Sequence, residues 1–224
     1  MGKFKVVSLD MFQTLVNVES RVQHIWKPIL ADRFTPERAV ENARLLLSRF
    51  LVHWAERREA GSFCLLKDVY ERSFVDVFEH AQVSYDVSEA STILFREQAQ
   101  SEFYEDTLTF LDHVTKKYCV CIVSDADDAM VPSFHQDYKI QLFTSERHRS
   151  YKNDENNTMF KEMLRHYAVD ASQVIHIGDS VSDVAGAKRQ GLAACWLNRD
   201  GRTWSHESKP DYIVESLHEL RDIL

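Results

Sequence analysis

Five short, nearly continuous apolar runs, spaced by stretches with helical periodicity, constrain this chain more than any other feature. They are Lys5–Leu9 (KVVSL), Cys119–Val123 (CVCIV), Gln141–Thr144 (QLFT), Val174–Ile177 (VIHI) and Ala193–Leu197 (AACWL). A strand that is apolar along its whole length, and not alternately, is covered on both faces. Helical stretches at residues 107–117, 156–167 and 184–190 lie between the runs. Strand and helix in alternation predict an α/β fold, a doubly wound parallel sheet of the Rossmann-like kind.

Residues 18–102 break that rhythm. They hold no clear strand, and their apolar residues recur at three- and four-residue spacings: Ala43, Leu46, Leu47, Phe50, Leu51, Trp54, then Phe63, Leu66, Val69, Tyr70, Phe74, Val77, Phe78. This periodicity predicts a bundle of about four amphipathic helices. Thr35-Pro36 reads as a helix start, with Thr as cap and Pro at the first position, and Asp86 or Ser88 reads as the cap of the last helix. The predicted core is therefore discontinuous, residues 1–17 and 103–224, with a helical insert at 18–102.

Composition narrows the function classes. The chain has 224 residues, 44% of them hydrophobic, enough for a packed core. A formal net charge of -8 makes nucleic acid a poor partner. No apolar run approaches the roughly 20 residues needed to cross a bilayer. The start, Met1-Gly2-Lys3-Phe4-Lys5, is too brief for the apolar part of a signal peptide. Val6 stands where a myristoylation signal has Ser or Thr. The four cysteines, Cys64, Cys119, Cys121 and Cys195, form no C-x-x-C pair. They read as buried free thiols in a reducing, cytoplasmic setting.

Acids and hydroxyls gather where the runs end. The first run leads into Asp10 (Asp10-Met11-Phe12-Gln13-Thr14-Leu15), the second into Ser124, and the fourth into Gly178-Asp179-Ser180 with Asp183 four residues after Asp179. In an open parallel sheet, ligands collect at the carboxyl ends of strands. Carboxylates clustered there repel one another unless a cation lies among them, and oxygen ligands select a hard ion such as Mg²⁺. Lys152, in the loop after the third run, can add positive charge, and Arg147 and Arg149 are alternatives for that role. Ser124 could instead cap a following helix, and Asp183 could be an acid at a helix N-terminus.

The order Asp10-x-x-x-Thr14-Leu15, Ser124, Lys152, Gly178-Asp179-Ser180-x-x-Asp183 resembles the haloacid dehalogenase superfamily, over the whole chain. The insert after the first motif resembles the cap found there in many members. The resemblance implies that Asp10 attacks phosphorus and forms an aspartyl-phosphate. Ser124 and Lys152 would bind the transferring phosphoryl group, and Thr14 would orient the nucleophile loop. It implies a Mg²⁺ site made by Asp10, the main-chain carbonyl of Phe12, Asp179 and Asp183, the last in a supporting position. A small phosphorylated metabolite would be the substrate. Arg21 and His24, near the nucleophile loop in sequence, are the candidate contacts from the insert.

Three departures from the family pattern stand out. Its phosphatases carry a second Asp two residues after the nucleophile, as proton donor to the leaving group, and here that position is Phe12. The superfamily's dehalogenases also have an aromatic residue there, but they need no metal and lack the Gly-Asp-Ser-x-x-Asp arrangement. Dehalogenation, or phosphate binding without turnover, is therefore the alternative to phosphatase activity. Asp125 stands where Asn commonly follows Ser124; it is a candidate substrate-binding residue and a possible replacement proton carrier. The loop Ser150-Tyr151-Lys152-Asn153-Asp154 lacks the family's Lys-Pro-Asp-Pro prolines.

Overall fold

The computed structural model describes residues 3–59 and 61–224. Met1, Gly2 and Ala60, and the side chain of Arg58, lie outside the described residues, so the N-terminal dipeptide carries no structural reading.

Six parallel strands form one sheet. They are β1 (Val6–Leu9), β4 (Cys119–Ser124), β5 (Gln141–Thr144), β6 (Val174–Gly178), β7 (Ala193–Leu197) and β8 (Tyr212–Val214), in the order β5-β4-β1-β6-β7-β8. Two short strands, β2 (Val16–Asn17) and β3 (Glu102–Phe103), make a separate two-stranded ribbon. The five runs found in the sequence are five of the six sheet strands. The sixth, β8, escaped the sequence because it is three residues long at the sheet edge and only Val214 is buried.

The sheet grows from β1 first toward β5 and then, through β6, in the other direction. The reversal leaves a crevice at the carboxyl ends of β1 and β6, which is where such folds bind ligands. Asp10 and Asp179 are the residues just past those two strand ends. Side chains alternate along each strand. On one face Val6, Cys121, Val123, Phe143, Val174, Ala194 and Trp196 form a cluster with Met159, Phe160 and Met163 of α8 (Thr158–Tyr167) and Val184 and Ala187 of α9 (Val181–Arg189). Val7, Leu9, Ile122, Ile175 and Ile177, the alternate positions, are fully buried as well. Burial on both faces is what unbroken apolar runs require.

Some boundaries shift from the sequence reading, for local reasons. The helix expected at 184–190 begins at Val181, because Ser180 accepts the Asp183 N–H at its start while the Asp183 carboxylate accepts the Ser180 N–H. The helix expected at 107–117 is α5 (Thr107–Val114); it stops where the Thr115 hydroxyl donates to the Leu111 carbonyl. Three of the cysteines are buried, but Cys119 is exposed, because it opens β4 at the rim of the sheet.

The chain divides into two compact units. One comprises Met1–Asn17, Phe103–Asp125 and Ser133–Leu224; the other comprises Val18–Glu102 and Ala126–Pro132. The second unit carries α1 (Val22–Leu30), α2 (Pro36–Glu59), α3 (Leu66–Ala81) and α4 (Val87–Gln98). The starts of α2, α3 and α4 follow helix-capping chemistry. Thr35 Oγ1 accepts from Arg38 N–H at 3.2 Å, and Asp86 Oδ1 from Glu89 N–H at 2.7 Å. The first turn of α3 is capped from afar: Asp127 accepts from Leu66 N–H at 3.0 Å and Lys67 N–H at 2.8 Å. That cap explains why the short stretch around Asp127 belongs with the helices. The bundle interior is aromatic, with Trp26 against Phe74 at 5.8 Å and Phe50 stacked on Tyr70 at 4.5 Å. Among the described residues no helix is long and apolar enough to cross a membrane.

Candidate active site

Asp10 is 5% exposed and continues the sheet one step past β1, its N–H donating to the Ile177 carbonyl at 2.8 Å. That bond fixes its backbone against β6. Its Oδ1 accepts from Ser124 Oγ at 3.0 Å and from Lys152 Nζ at 2.6 Å. Ser124 reaches it because β4 lies beside β1 with Leu9 opposite Ile122. The loop after Asp10 folds back on itself. Leu15 and Val16 N–H both donate to the Met11 carbonyl, and Gln13 N–H to the Val16 carbonyl. The Phe12 carbonyl takes no part in these bonds. Gln13 has φ 58, a left-handed conformation that a residue with a Cβ adopts only when neighbours hold it. Thr14 is fully buried, with a hydroxyl that finds no hydrogen-bond partner among the described residues.

Lys152 is 2% exposed, and its loop is held without prolines. Tyr151 N–H and Ser150 Oγ donate to Asp154 Oδ2, and Thr158 N–H donates to Ser150 Oγ. Asn157 Nδ2 and Arg189 Nη1 tie the loop to α9 and the loop carbonyls. Asp125 Oδ1 accepts the Lys152 N–H at 2.8 Å. This anchors the loop to the end of β4 through one oxygen of that carboxylate. Gly186 of α9 lies against the same loop; a Cβ there would come 2.2 Å from the Lys152 carbonyl oxygen. Gly186→Ala should therefore push Lys152 off Asp10 and lower turnover by about 10²-fold, the scale of a misplaced reacting group. Steady-state kinetics at saturating substrate checks this; wild-type rates would show that the loop yields elsewhere.

Asp183 sits in the first turn of α9 and is 1% exposed. Its Oδ1 accepts from Lys152 Nζ and from His176 Nε2, the latter at 3.0 Å. Its Oδ2 accepts from Ser180 N–H at 2.9 Å and from Ser180 Oγ. A Cβ on Gly178 would meet Asp183 Cγ at 2.2 Å, so this approach requires glycine. His176 Nδ1 in turn meets Ser8 Oγ at 2.8 Å. Ser8 and His176 are register partners on neighbouring strands, which places both side chains on one face. A carboxylate only accepts, so the imidazole donates to Asp183 through Nε2–H, and Nδ1 shares a hydrogen bond with the Ser8 hydroxyl.

Asp10, Asp179 and Asp183 each offer a carboxylate oxygen within 4.8 Å of the others. Burial raises Asp10, Lys152 pulls it down and Asp183 pushes it up again, leaving it at about 6. Burial, reinforced by the charges of Asp183 and Asp10, lifts Asp179 to about 8. Asp183 stays well below the ordinary carboxylate range although burial opposes it, because Lys152 and His176 hold it charged. Lys152 is kept charged against burial by Asp10, Asp183 and Asp125. Burial also raises Asp125. The one buried ammonium thus bridges two of these carboxylates, Asp10 and Asp183. The donors are all oxygen, and a span of 4.8 Å is near the ~4.2 Å between opposite oxygens of a Mg²⁺ octahedron with ~2.1 Å bonds. The residues present fit a small divalent cation.

Residues 4–191 match the family model of haloacid dehalogenase-like hydrolases. The chain belongs to this family. Over 56 residues this hydrolase is 43% identical to the pyrimidine 5'-nucleotidase YjjG of Escherichia coli (strain K12), a match that spans about a quarter of each chain. Its fold is that of an L-2-haloacid dehalogenase from Xanthobacter autotrophicus (TM-score 0.81, 17% identity, 98% of both chains). It is equally that of the HAD-hydrolase YfnB from Bacillus subtilis, solved bound to magnesium (TM-score 0.82, 16% identity, 99% of both chains).

The fold of this hydrolase gathers Asp10, Ser124, Lys152, Asp179 and Asp183 at one edge. Lys152, and not the exposed Arg147 or Arg149, meets Asp10. Arg21 is drawn into an ion pair with Glu97 at 2.6 Å, inside the helical unit. Four residues that sequence reasoning passed over also matter. Ser8 and His176 were hidden inside apolar runs. Arg199 and Asp106 lie far apart in sequence, yet Arg199 Nη1 and Nη2 grip the two Asp106 oxygens at 2.9 Å each, and Nη2 reaches the Thr14 carbonyl at 3.0 Å. Burial raises the Asp106 carboxyl, but Arg199 and the Leu217 N–H outweigh it and hold it below its ordinary value. A depressed folded value means that stabilisation is present above the unfolded value of about 3.9 and is lost as pH falls through the folded one. The stability gap between wild type and Asp106→Asn should therefore be constant near pH 7 and close as pH falls below about 4. Urea unfolding across that range measures it; a gap that stays open would contradict the pairing.

Proposed function

We propose that this hydrolase is a Mg²⁺-dependent phosphatase of a small phosphorylated metabolite, working through an aspartyl-phosphate on Asp10. The observation that carries this reading is the imbalance of charge: the buried ammonium of Lys152 lies against Asp10 and Asp183, while Asp179 beside them has only the half-exposed Arg202 guanidinium, at 3.8 Å. Asp10, the Phe12 carbonyl and Asp179 would hold the ion. Asp183, whose oxygens already take protein donors, would support from behind. When bound, the ion offsets the repulsion between an anionic nucleophile and an anionic substrate.

The chain's own groups do the rest. Lys152 and Ser124 hold Asp10 Oδ1, which leaves Oδ2 to attack phosphorus as the bond from phosphorus to the leaving oxygen breaks. The same ammonium and hydroxyl stabilise charge on the transferring phosphoryl oxygens. Thr14, with its buried unsatisfied hydroxyl, belongs to the loop that orients Asp10. Asp125 acts on the substrate through Lys152, whose loop it anchors. Water then attacks phosphorus, releasing phosphate and the Asp10 carboxylate. Phe12 supplies no proton, so leaving groups that are stable as anions are favoured. We take residues 18–102, together with the stretch 126–132 around Asp127, as the cap domain that selects the substrate, and 1–17 with 103–125 and 133–224 as the catalytic core. The free, buried thiols of Cys121 and Cys195 suit a reducing cytoplasm.

The half-buried Phe12 favours a second reading, 2-haloacid dehalogenation, since a departing halide needs no proton. Hydrolysis of an aryl phosphate, with Mg²⁺ or with chelator, for wild type and Asp10→Asn, separates the two. Mg²⁺-dependent turnover lost in Asp10→Asn is the expected result. Turnover of 2-haloacids in chelator would replace the phosphatase reading with the dehalogenase one, and silence on both would leave phosphate binding without catalysis.

A further inference from the structure

We infer that Arg199 is a positioning residue for the nucleophile loop, holding it in shape from the side away from the reacting atoms. The proposal rests on Asp10 being the nucleophile. Arg199 follows β7 and touches neither Asp10 nor the other carboxylates of the cluster. Its guanidinium instead makes three kinds of contact at once. It forks onto both oxygens of Asp106, donates to the Thr14 carbonyl, and lies with its carbon 4.0 Å from the centre of the Tyr104 ring.

Each partner of the fork also holds the loop or its support. The Tyr104 hydroxyl donates to Gln13 Oε1 at 2.9 Å, and the Tyr104 N–H donates to the Leu15 carbonyl at 3.2 Å. Thr107 Oγ1 donates to the same carbonyl at 2.8 Å. Asp106 is pinned in addition by the Leu217 N–H at 2.8 Å. The stretch 104–107 and Arg199 therefore bind Gln13, Thr14 and Leu15 in succession. These are the residues around the left-handed Gln13, where the backbone needs outside support to keep its conformation. A planar fork stacked on a ring can make these contacts together; a lysine ammonium cannot reproduce the geometry.

The test uses Arg199→Lys and Arg199→Met in the full chain, with para-nitrophenyl phosphate and Mg²⁺ as the activity probe. Both variants should lose about 10- to 10²-fold in kcat with little change in KM, the signature of a displaced nucleophile. Hydrogen exchange of the metal-free protein provides a readout independent of turnover. The amides of Gln13, Leu15 and Val16, which hydrogen-bond within the loop, should exchange faster, while the amides of β4 keep their protection. Wild-type kcat with unchanged loop protection would overturn the inference. So would an equal loss of protection in the loop and in β4, which would make Arg199 a general support of the fold. If wild type shows no phosphatase activity, the phosphatase reading fails, and the exchange pattern still decides whether Arg199 holds the loop.

Discussion

Lys152→Ala should lower aryl phosphate turnover by about 10²- to 10³-fold, the range for removing one donor from a preorganised anion site. The same change should destabilise the metal-free protein by about 3–5 kcal/mol, because it leaves buried carboxylates unpaired. Lys152 is the ammonium between Asp10 and Asp183, with 3% of its side chain exposed. Without it, the carboxyl of Asp10 loses its principal lowering partner and rises further, so less of it is ionised at neutral pH. Mg²⁺ should restore part of the stability and little of the rate, since a cation held by Asp10 and Asp179 does not replace a donor to the phosphoryl group. Thermal unfolding with and without Mg²⁺, beside kcat, measures both effects. A variant with normal rate would show that another cation takes the role.

Phe12→Asp should have the opposite sense. On the phosphatase reading, a carboxyl two residues after Asp10 would supply the proton that the leaving oxygen lacks. General acid–base help is worth about 10²- to 10⁴-fold, so turnover of alkyl phosphates should rise on that scale. Aryl phosphates, whose leaving groups need little protonation, should gain far less. The informative quantity is the ratio of alkyl to aryl rates in the variant and in wild type. An unchanged ratio would mean that protonation of the leaving group does not limit the reaction. The new acid adds negative charge near Asp10 and Asp179, which burial has already raised, so the comparison belongs above the Asp10 value of about 6.

Much of this arrangement was legible in the residue order, because its causes are local. Each apolar run had to be a covered strand, and a carboxylate or hydroxyl just past its end had to face the ligand edge. Asp10, Ser124, Asp179 and Asp183 follow from that logic. Lys152 was harder, because its loop is held by Asp125, Asp154 and Asn157 in place of prolines, and such side-chain bonds leave no periodic trace. Ser8 and His176 look like interruptions of apolar strands. Only the register that sets them side by side explains why two polar side chains are buried there. The grip of Arg199 on Asp106 spans 93 positions, beyond any local pattern. The edge strand β8 is too short to carry a periodicity.

The cap of α3 has a bearing on how this protein could be recombined with its relatives. Asp127 stands 61 positions downstream of the first amide it accepts. The helical unit is thus not a cassette bounded by one pair of cuts. A graft of residues 18–102 alone would bring α3 into a host without the carboxylate that starts it, because Asp127 would stay behind in the donor. The transferable module is two segments, and the second begins two residues after Ser124. Exchange of specificity by shuffling would therefore place a crossover beside the site itself, which favours change by point substitution within the helices over exchange of the unit.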